Sequence, residues 1–203
     1  MWDTYYFEKL LLGKGCQWLA GIDEVGRGAL AGPVVSAAVI LNPAQPIDGI
    51  KDSKVLTPLQ RNLLAEKIKE TALAVSVGVA DQFEVDRVNI LQATIKSMVR
   101  AVQGLPIRPD WLLIDALELS ELDTRQMAII DGDARSVSIA AASIVAKVTR
   151  DAFMVACGEK YPLYKFASNK GYGSAEHLQA LTLHGPCELH RKTFRGVKEN
   201  LKE

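Results

Sequence analysis

Gly21-Ile22-Asp23-Glu24-Val25-Gly26-Arg27-Gly28 sets two adjacent carboxylates beside a Gly-Arg-Gly turn, directly before the apolar run from Pro33 to Leu41. An ionised carboxylate entering a core costs several kcal/mol unless it is paired, protonated or bound to a cation. A metal ion would remove the conflict; a surface hairpin with solvated acids would avoid it. Successive residues of a regular strand point to opposite faces, so a strand running straight through Asp23 and Glu24 would separate them. Gly26 and Gly28 permit backbone angles closed to other residues and a close approach of another backbone. We therefore read a strand that ends here in a site-forming loop.

Upstream, residues 2–12 form a short amphipathic helix with Trp2, Tyr5, Tyr6, Leu10 and Leu11 available to dock, and Gly13-Lys14-Gly15 breaks it. Trp18 to Asp23 is a first strand and Val34 to Leu41 a second; the short connection favours an antiparallel pair. Lys51-Asp52-Ser53-Lys54 is a polar loop. Thr57-Pro58 then caps a helix to about Thr71, with Leu59, Leu63, Leu64, Lys67 and Ile68 as its inward stripe. Leu73 to Ala80 alternates as a third strand, with Gly78 as its weak point.

Asp81 to Gly104 reads as one helical block, with Leu91, Ile95, Met98, Val99 and Val102 recurring at three and four. Trp111 to Ile114 and Met127 to Ile130 are short apolar runs suited to parallel strands buried on both faces. The first ends in Asp115 and the second in Asp131-Gly132-Asp133. From Ser136 or Ser138, a helix of small residues apolar almost all round begins, and its positive end lies close to Asp133. This order gives an α/β or α+β single domain with a mixed sheet of five strands.

Lys plus Arg balance Asp plus Glu at 24 each over 203 residues, so a nucleic-acid function has to rest on where the charges lie. Cys16, Cys157 and Cys187 contain no CxxC pair, which argues against a disulfide framework and a zinc site and fits a reducing cytoplasm. No run approaches transmembrane length, so a soluble, unexported protein is expected. Between Lys165 and Lys198 stand six Lys or Arg (165, 170, 191, 192, 195, 198) against Glu176 and Glu188, together with all three histidines. A basic surface with interleaved aromatics suits a phosphate backbone with sugars or bases to stack on; a solvated basic tail is the alternative.

Asp23, Glu24, Asp115 and Asp133 each close an apolar strand-like run or lie within a few residues of its end. If the later short strands run parallel to the first, all four acids gather at one sheet edge. Carboxylates without His or Cys favour Mg²⁺ or Mn²⁺ over zinc, and two such ions could activate a water for phosphodiester hydrolysis.

Six motifs in order carry a resemblance: the Gly21–Gly28 stretch, Lys51-Asp52-Ser53-Lys54, Leu112-Leu113-Ile114-Asp115, Gly132-Asp133-Ala134 with the Ala140–Val148 helix and Arg150-Asp151, Lys170-Gly171-Tyr172-Gly173, and His190-Arg191. From about Gly21 to Val197 the chain resembles the bacterial ribonuclease HII family. The resemblance implies an α/β fold, an RNase H-like mixed five-stranded sheet flanked by helices with a small C-terminal helical portion. Residues 1–157 would be the catalytic core with its N-terminal helix, and 158–203 a helical, basic substrate-binding extension in the same compact unit.

It further implies a monomeric endonuclease using two Mg²⁺ or Mn²⁺ ions. The enzyme would cut the RNA strand of RNA–DNA hybrids, and duplex DNA 5′ of a single ribonucleotide, leaving 3′-hydroxyl and 5′-phosphate ends. Asp23, Glu24, Asp115 and Asp133 match the family's catalytic metal ligands, Gly26-Arg27-Gly28 its reader of the ribose 2′-hydroxyl, and Tyr172 its tyrosine at the RNA–DNA junction. Ser53 and Lys54 would hold phosphates, and Lys170 and Arg191 would contact the backbone. Ala29, Ala116 and Ser174 stand where Pro, Gly and Thr are common in the family. Two rivals are an RNase H-fold nuclease indifferent to ribose and a hybrid-binding protein that does not cleave.

Overall fold

The computed structural model describes residues 3–51 and 53–201, so Trp2 and Asp52 lie outside the described residues. Strands β1 (Leu19–Val25), β2 (Val34–Ile40), β3 (Ala74–Ala80), β4 (Trp111–Asp115) and β5 (Arg125–Ile129) form one sheet in the order β3-β2-β1-β4-β5. β1, β2 and β3 pair antiparallel, as short connections and alternating sequence allow, whereas β4 and β5 run parallel to β1. Leu112, Leu113 and Ile114 are fully buried, as expected of a strand covered on both faces.

Helices α1 (Tyr6–Leu12), α2 (Pro58–Thr71), α3 (Gln82–Val88), α4 (Ile90–Gln103), α5 (Gly132–Arg135) and α6 (Val137–Lys160) flank the sheet, and α7 (Phe166–Asn169) and α8 (Ala175–His184) form a small C-terminal helical portion packed against Met154 of α6 and the Leu30–Ala31 segment. The small residues of α6 let it lie close on the strands: Ala140, Ala141, Ala142, Ala146, Ile144 and Val145 join Ala37 and Val39 of β2 and Ala65 and Ile68 of α2 in one core. Ser136 caps α6, its Oγ accepting from Ile139 N at 3.3 Å. Glu8 of α1 reinforces that end, with Oε1 accepting from Ser136 Oγ at 2.6 Å and Ser138 N at 3.0 Å.

Several local expectations are corrected. The first helix starts at Tyr6 rather than residue 2 and turns Glu8 and Leu11 inward, leaving Tyr6 exposed. In α2, Thr57 and Gln60 form the capping box, but Leu59 and Leu63 face solvent, because the helix meets its neighbours through Ala65 and Ile68. The block from Asp81 to Gly104 is two helices. Asn89 takes φ 71, ending α3, and its Oδ1 accepts from Gln92 N at 3.1 Å to cap α4. Gly78 is a contact point rather than a weakness, since a Cβ there would stand 1.9 Å from Ser97 O of α4.

The C-terminal aromatics are also placed differently. Tyr164, Phe166, His177 and His190 are buried in a core with Leu30, Ala31, Met154, Leu181 and Val197, so of the expected surface Lys165, Lys192, Arg195, Lys198, His184 and Tyr172 are exposed and Lys170 is half-buried. His177 Nδ1 lies 2.8 Å from the Tyr172 carbonyl and must donate to it, so His177 Nε2 accepts from His190 Nε2 at 2.9 Å. His190 Nδ1 then accepts from Cys187 N at 3.0 Å. Both imidazoles are therefore neutral, and burial together with His177 pushes His190 down to about 4.

A pH dependence follows. Below the ordinary histidine value of about 6.5 the unfolded chain takes up a proton that folded His190 refuses, so this contribution to stability falls with pH until about 4. The expected loss is about 3 kcal/mol across that window, read by urea unfolding at a series of pH values. His190→Gln should flatten that part of the profile, and an unchanged slope would clear the pair of responsibility. Among the described residues, no helix is long and apolar enough to cross a membrane.

Candidate active site

The parallel register aligns Ile22 with Ile114, which brings Asp23 and Asp115, the next residues of β1 and β4, to the same sheet edge. β1 does not stop at the acids as expected; Asp23 and Glu24 pair with Ala37 and Ser36, and the strand ends at Val25. Alternation along the strand would separate the two side chains, yet one oxygen from each of Asp23, Glu24 and Asp115 lies within 4.8 Å of the others. Asp23 is buried and accepts from Ser143 of α6 and from Glu24 N, the latter at 2.7 Å. Asp115 Oδ1 accepts from Gly132 N at 2.7 Å. Glu24 Oε1 meets Arg27 Nη1 at 3.2 Å, while Glu24 Oε2 is buried without a partner.

Burial, reinforced by Glu24 and Asp115, holds the Asp23 carboxyl well above the usual carboxylate range. Burial also raises Glu24, against the pull of Arg27, and it raises Asp115, against the Gly132 amide. Three acids at one point, with Arg27 on one oxygen of Glu24 and the other oxygen orphaned, form a set of hard oxygen donors whose charge one guanidinium does not balance. The residues present therefore fit a divalent oxygen-seeking cation.

The fourth acid is placed apart. Asp133 is buried in the short α5, and its Oδ2 is paired with Lys54 Nζ at 2.7 Å, so the oxygen cluster comprises three acids rather than four. Its charge still reaches Asp115, whose carboxyl it helps to raise. Ser53 is buried behind the acids, with Oγ 2.9 Å from Ser143 Oγ, so its hydroxyl braces the residue that holds Asp23.

Asp23, Glu24 and Asp115 open on a cleft of about 400 Å³ that is also lined by Gly26, Arg27 and Gly28, by Tyr172, and by Lys54, Arg61 and Lys147. Lys147, paired with Asp151 at 2.8 Å, also lies 6.0 Å from the Tyr172 ring. Ser143 and Lys147 have no role in the sequence reading; the signal that could have found them is that Ser143, Lys147 and Asp151 stand four apart, on one face of the helix. Lys170 lines an adjoining groove, and its ammonium turns back on the carbonyls of Ala167 and Ser168.

Arg191 is a correction. It is fully buried, donating to the carbonyls of Gly32 and Arg27, and burial beside Arg150 pushes it down to about 9, so no surface phosphate contact is open to it.

The family model described as Ribonuclease HII matches residues 20–197. The chain belongs to the ribonuclease HII family. It is 52% identical to the ribonuclease HII of Geobacter sulfurreducens over 203 residues, covering 100% of this chain and 92% of that protein. It is also 52% identical to that of Bacillus subtilis over 192 residues, 95% of this chain and 75% of that one. The ribonuclease H2 crystal structure from Pyrococcus horikoshii superposes with a TM-score of 0.75 at 26% identity, covering 91% of this chain and 97% of that one. The protein is thus a ribonuclease H type enzyme. Two departures from the family's commoner residues have structural readings: Ala116 takes φ 52, a conformation glycine adopts freely, and Ser174 caps α8 by accepting from His177 N at 3.2 Å, as Thr could.

Proposed function

We propose that this ribonuclease HII family member is a metal-dependent endonuclease that cuts the RNA strand of RNA–DNA hybrids and cuts 5′ of a single ribonucleotide in duplex DNA. The observation that carries the reading is the three-acid cluster with its unpartnered Glu24 oxygen, facing a cleft walled by the glycine turn and Tyr172. Asp23, Glu24 and Asp115 would hold Mg²⁺ or Mn²⁺, and Asp133 would hold a second ion once Lys54 exchanges its carboxylate for a substrate phosphate. The Lys54 side chain is 77% exposed and lines the cleft, where a substrate phosphate would meet it. Bound there, the cations supply activation of a water and neutralisation of charge on the leaving oxygen, yielding 5′-phosphate and 3′-hydroxyl ends.

The chain's own groups do the rest. Ser143 and the Gly132 amide orient Asp23 and Asp115. The turn at Gly26–Gly28 brings backbone close to the ribose, where only the 2′-hydroxyl distinguishes RNA from DNA. Tyr172, 36% exposed with its ring resting on Arg150, offers a face to the sugar next to the ribonucleotide.

The test is cleavage of duplex DNA bearing one ribonucleotide, with and without Mg²⁺ or Mn²⁺. Tyr172→Ala should lower that cleavage about 10- to 100-fold, the worth of one stacking contact, with little change in melting temperature. Loss of activity only in proportion to unfolding would remove the junction role from Tyr172. Metal-dependent cutting of all-DNA duplex at the same rate would favour a ribose-indifferent nuclease, and binding without cleavage would favour the hybrid-binding alternative.

A further inference from the structure

Two arginines lie wholly inside the protein beneath the cleft, and neither forms an ion pair with a carboxylate among the described residues. Arg150 of α6 donates from Nε to Pro33 O at 2.9 Å, from Nη1 to Lys170 O at 2.9 Å and from Nη2 to Ala31 O at 3.0 Å. Arg191 donates from Nε and Nη2 to Gly32 O at 3.0 and 2.8 Å and from Nη1 to Arg27 O at 2.9 Å. Every one of these carbonyls belongs to residues 27–33, which continue from the glycine turn, or to Lys170, which leads into Tyr172.

The same two segments also touch directly. Gly171 O accepts from Leu30 N at 2.8 Å, and a Cβ on Gly171, whose φ is +83, would stand 2.4 Å from Ala31 O. The Tyr172 ring then lies 5.3 Å above the Arg150 guanidinium.

Burying two like charges without a counter-ion is costly, and apolar residues of similar volume would pack there at lower cost. A guanidinium supplies what they cannot, a rigid fork of donors that addresses carbonyls of separate segments at once. We propose that Arg150 and Arg191 are positioning residues for ribose discrimination, fixing the spacing between the Gly26–Gly28 turn and Tyr172 so that one ribonucleotide engages both. The proposal rests on the roles given above to the turn and to Tyr172. Spacing matters most for a duplex with a single ribonucleotide, which offers one 2′-hydroxyl and one junction. A continuous hybrid offers a 2′-hydroxyl in every register and has no junction to match.

The experiment compares kcat/KM on those two substrates for Arg150→Lys, Arg191→Lys and Tyr172→Ala, alongside Mn²⁺ binding by calorimetry and thermal melting. In each arginine variant the single-ribonucleotide value should fall on the order of tenfold or more relative to the hybrid, with Mn²⁺ affinity retained. Lysine keeps the charge and loses the fork, so it should not rescue. Equal losses on both substrates, with Tyr172→Ala still shifting the ratio, would overturn the positioning role and leave the reading of the site intact. An unmoved ratio in Tyr172→Ala would remove that reading and this inference together. Should both lysine variants unfold at the assay temperature, Gly171→Ala pushes the same segments apart without touching either arginine. A folded Gly171→Ala protein with an unmoved ratio would overturn the proposal.

Discussion

Asp23→Asn and Asp115→Asn are each expected to reduce cleavage by about a thousandfold or more, since a metal-held transition state is worth several kcal/mol and each 1.4 kcal/mol is tenfold. The fold should survive. Asn can still accept from Ser143 or from the Glu24 amide at position 23, and from the Gly132 amide at position 115.

The metal-free variants should in fact melt higher than the parent at neutral pH. The Asp23 carboxyl is raised in the folded state, so between the ordinary carboxylate value and that raised value the folded protein binds more protons than the unfolded chain. Its contribution therefore destabilises at neutral pH and is relieved as pH falls. The difference in melting temperature between Asp23→Asn and parent should be largest near neutrality, shrink on acidification, and reverse when Mg²⁺ or Mn²⁺ is added to the parent alone. Near-parental turnover in either variant would refute the assignment of these acids as metal ligands.

The sheet edge was readable because two signals coincide in the sequence. Trp111–Ile114 is apolar on both faces, which marks a covered parallel strand, and it runs into an acid where a soluble core would not want one. Met127–Ile130 has the same pattern and also pairs parallel, but the expectation that it is covered on both faces fails: β5 is the edge of the sheet, and Ala128 and Ile130 are exposed. Pairing them parallel to β1 then placed Asp115 beside Asp23. That Glu24 would join them was less visible, because strand alternation argues against it, yet one of its oxygens lies within 4.8 Å of those of Asp23 and Asp115.

What sequence hid has one physical cause: the decisive partners are backbone groups or residues far along the chain. Arg191 counts as a surface cation in any tally of charge, yet its partners are carbonyls of Arg27 and Gly32, which leave no mark on the sequence. Lys54 and Asp133 pair across 79 positions. Leu59 and Leu63 satisfy a helical stripe but face solvent, because α2 leans on α6 and the sheet along one edge only. Histidines amid basic residues suggested a nucleic-acid surface; His177 and His190 instead bond each other in a core.

The two glycines of the Gly-Arg-Gly turn should behave in opposite ways, although the sequence presents them alike. Gly26 has φ +94, and a Cβ there would lie 2.2 Å from Arg150 Nε and 2.8 Å from Pro33 O. The fold itself demands glycine, and Gly26→Ala should cost about 2–4 kcal/mol in unfolding free energy through strain and collision with a buried arginine. Gly28 has no such constraint, since its φ is ordinary and a Cβ would meet nothing within 4 Å. It is exposed and lines the cleft beside the acids. Nothing in the folded chain explains the missing side chain, whereas a sugar that must come within contact of the backbone does. Gly28→Val is therefore expected to leave unfolding free energy within about 0.5 kcal/mol of the parent, as for other surface changes, and to leave Mn²⁺ binding unaltered. Cleavage should fall about a hundredfold, the effect of displacing a reacting group by about 1 Å. Gly28→Ala should fall between the two. Urea unfolding, Mn²⁺ calorimetry and single-turnover cleavage on the same preparations separate the outcomes. A stable Gly28→Val protein that cuts at the parental rate would mean that substrate does not approach this turn, and the 2′-hydroxyl would have to be read elsewhere in the cleft.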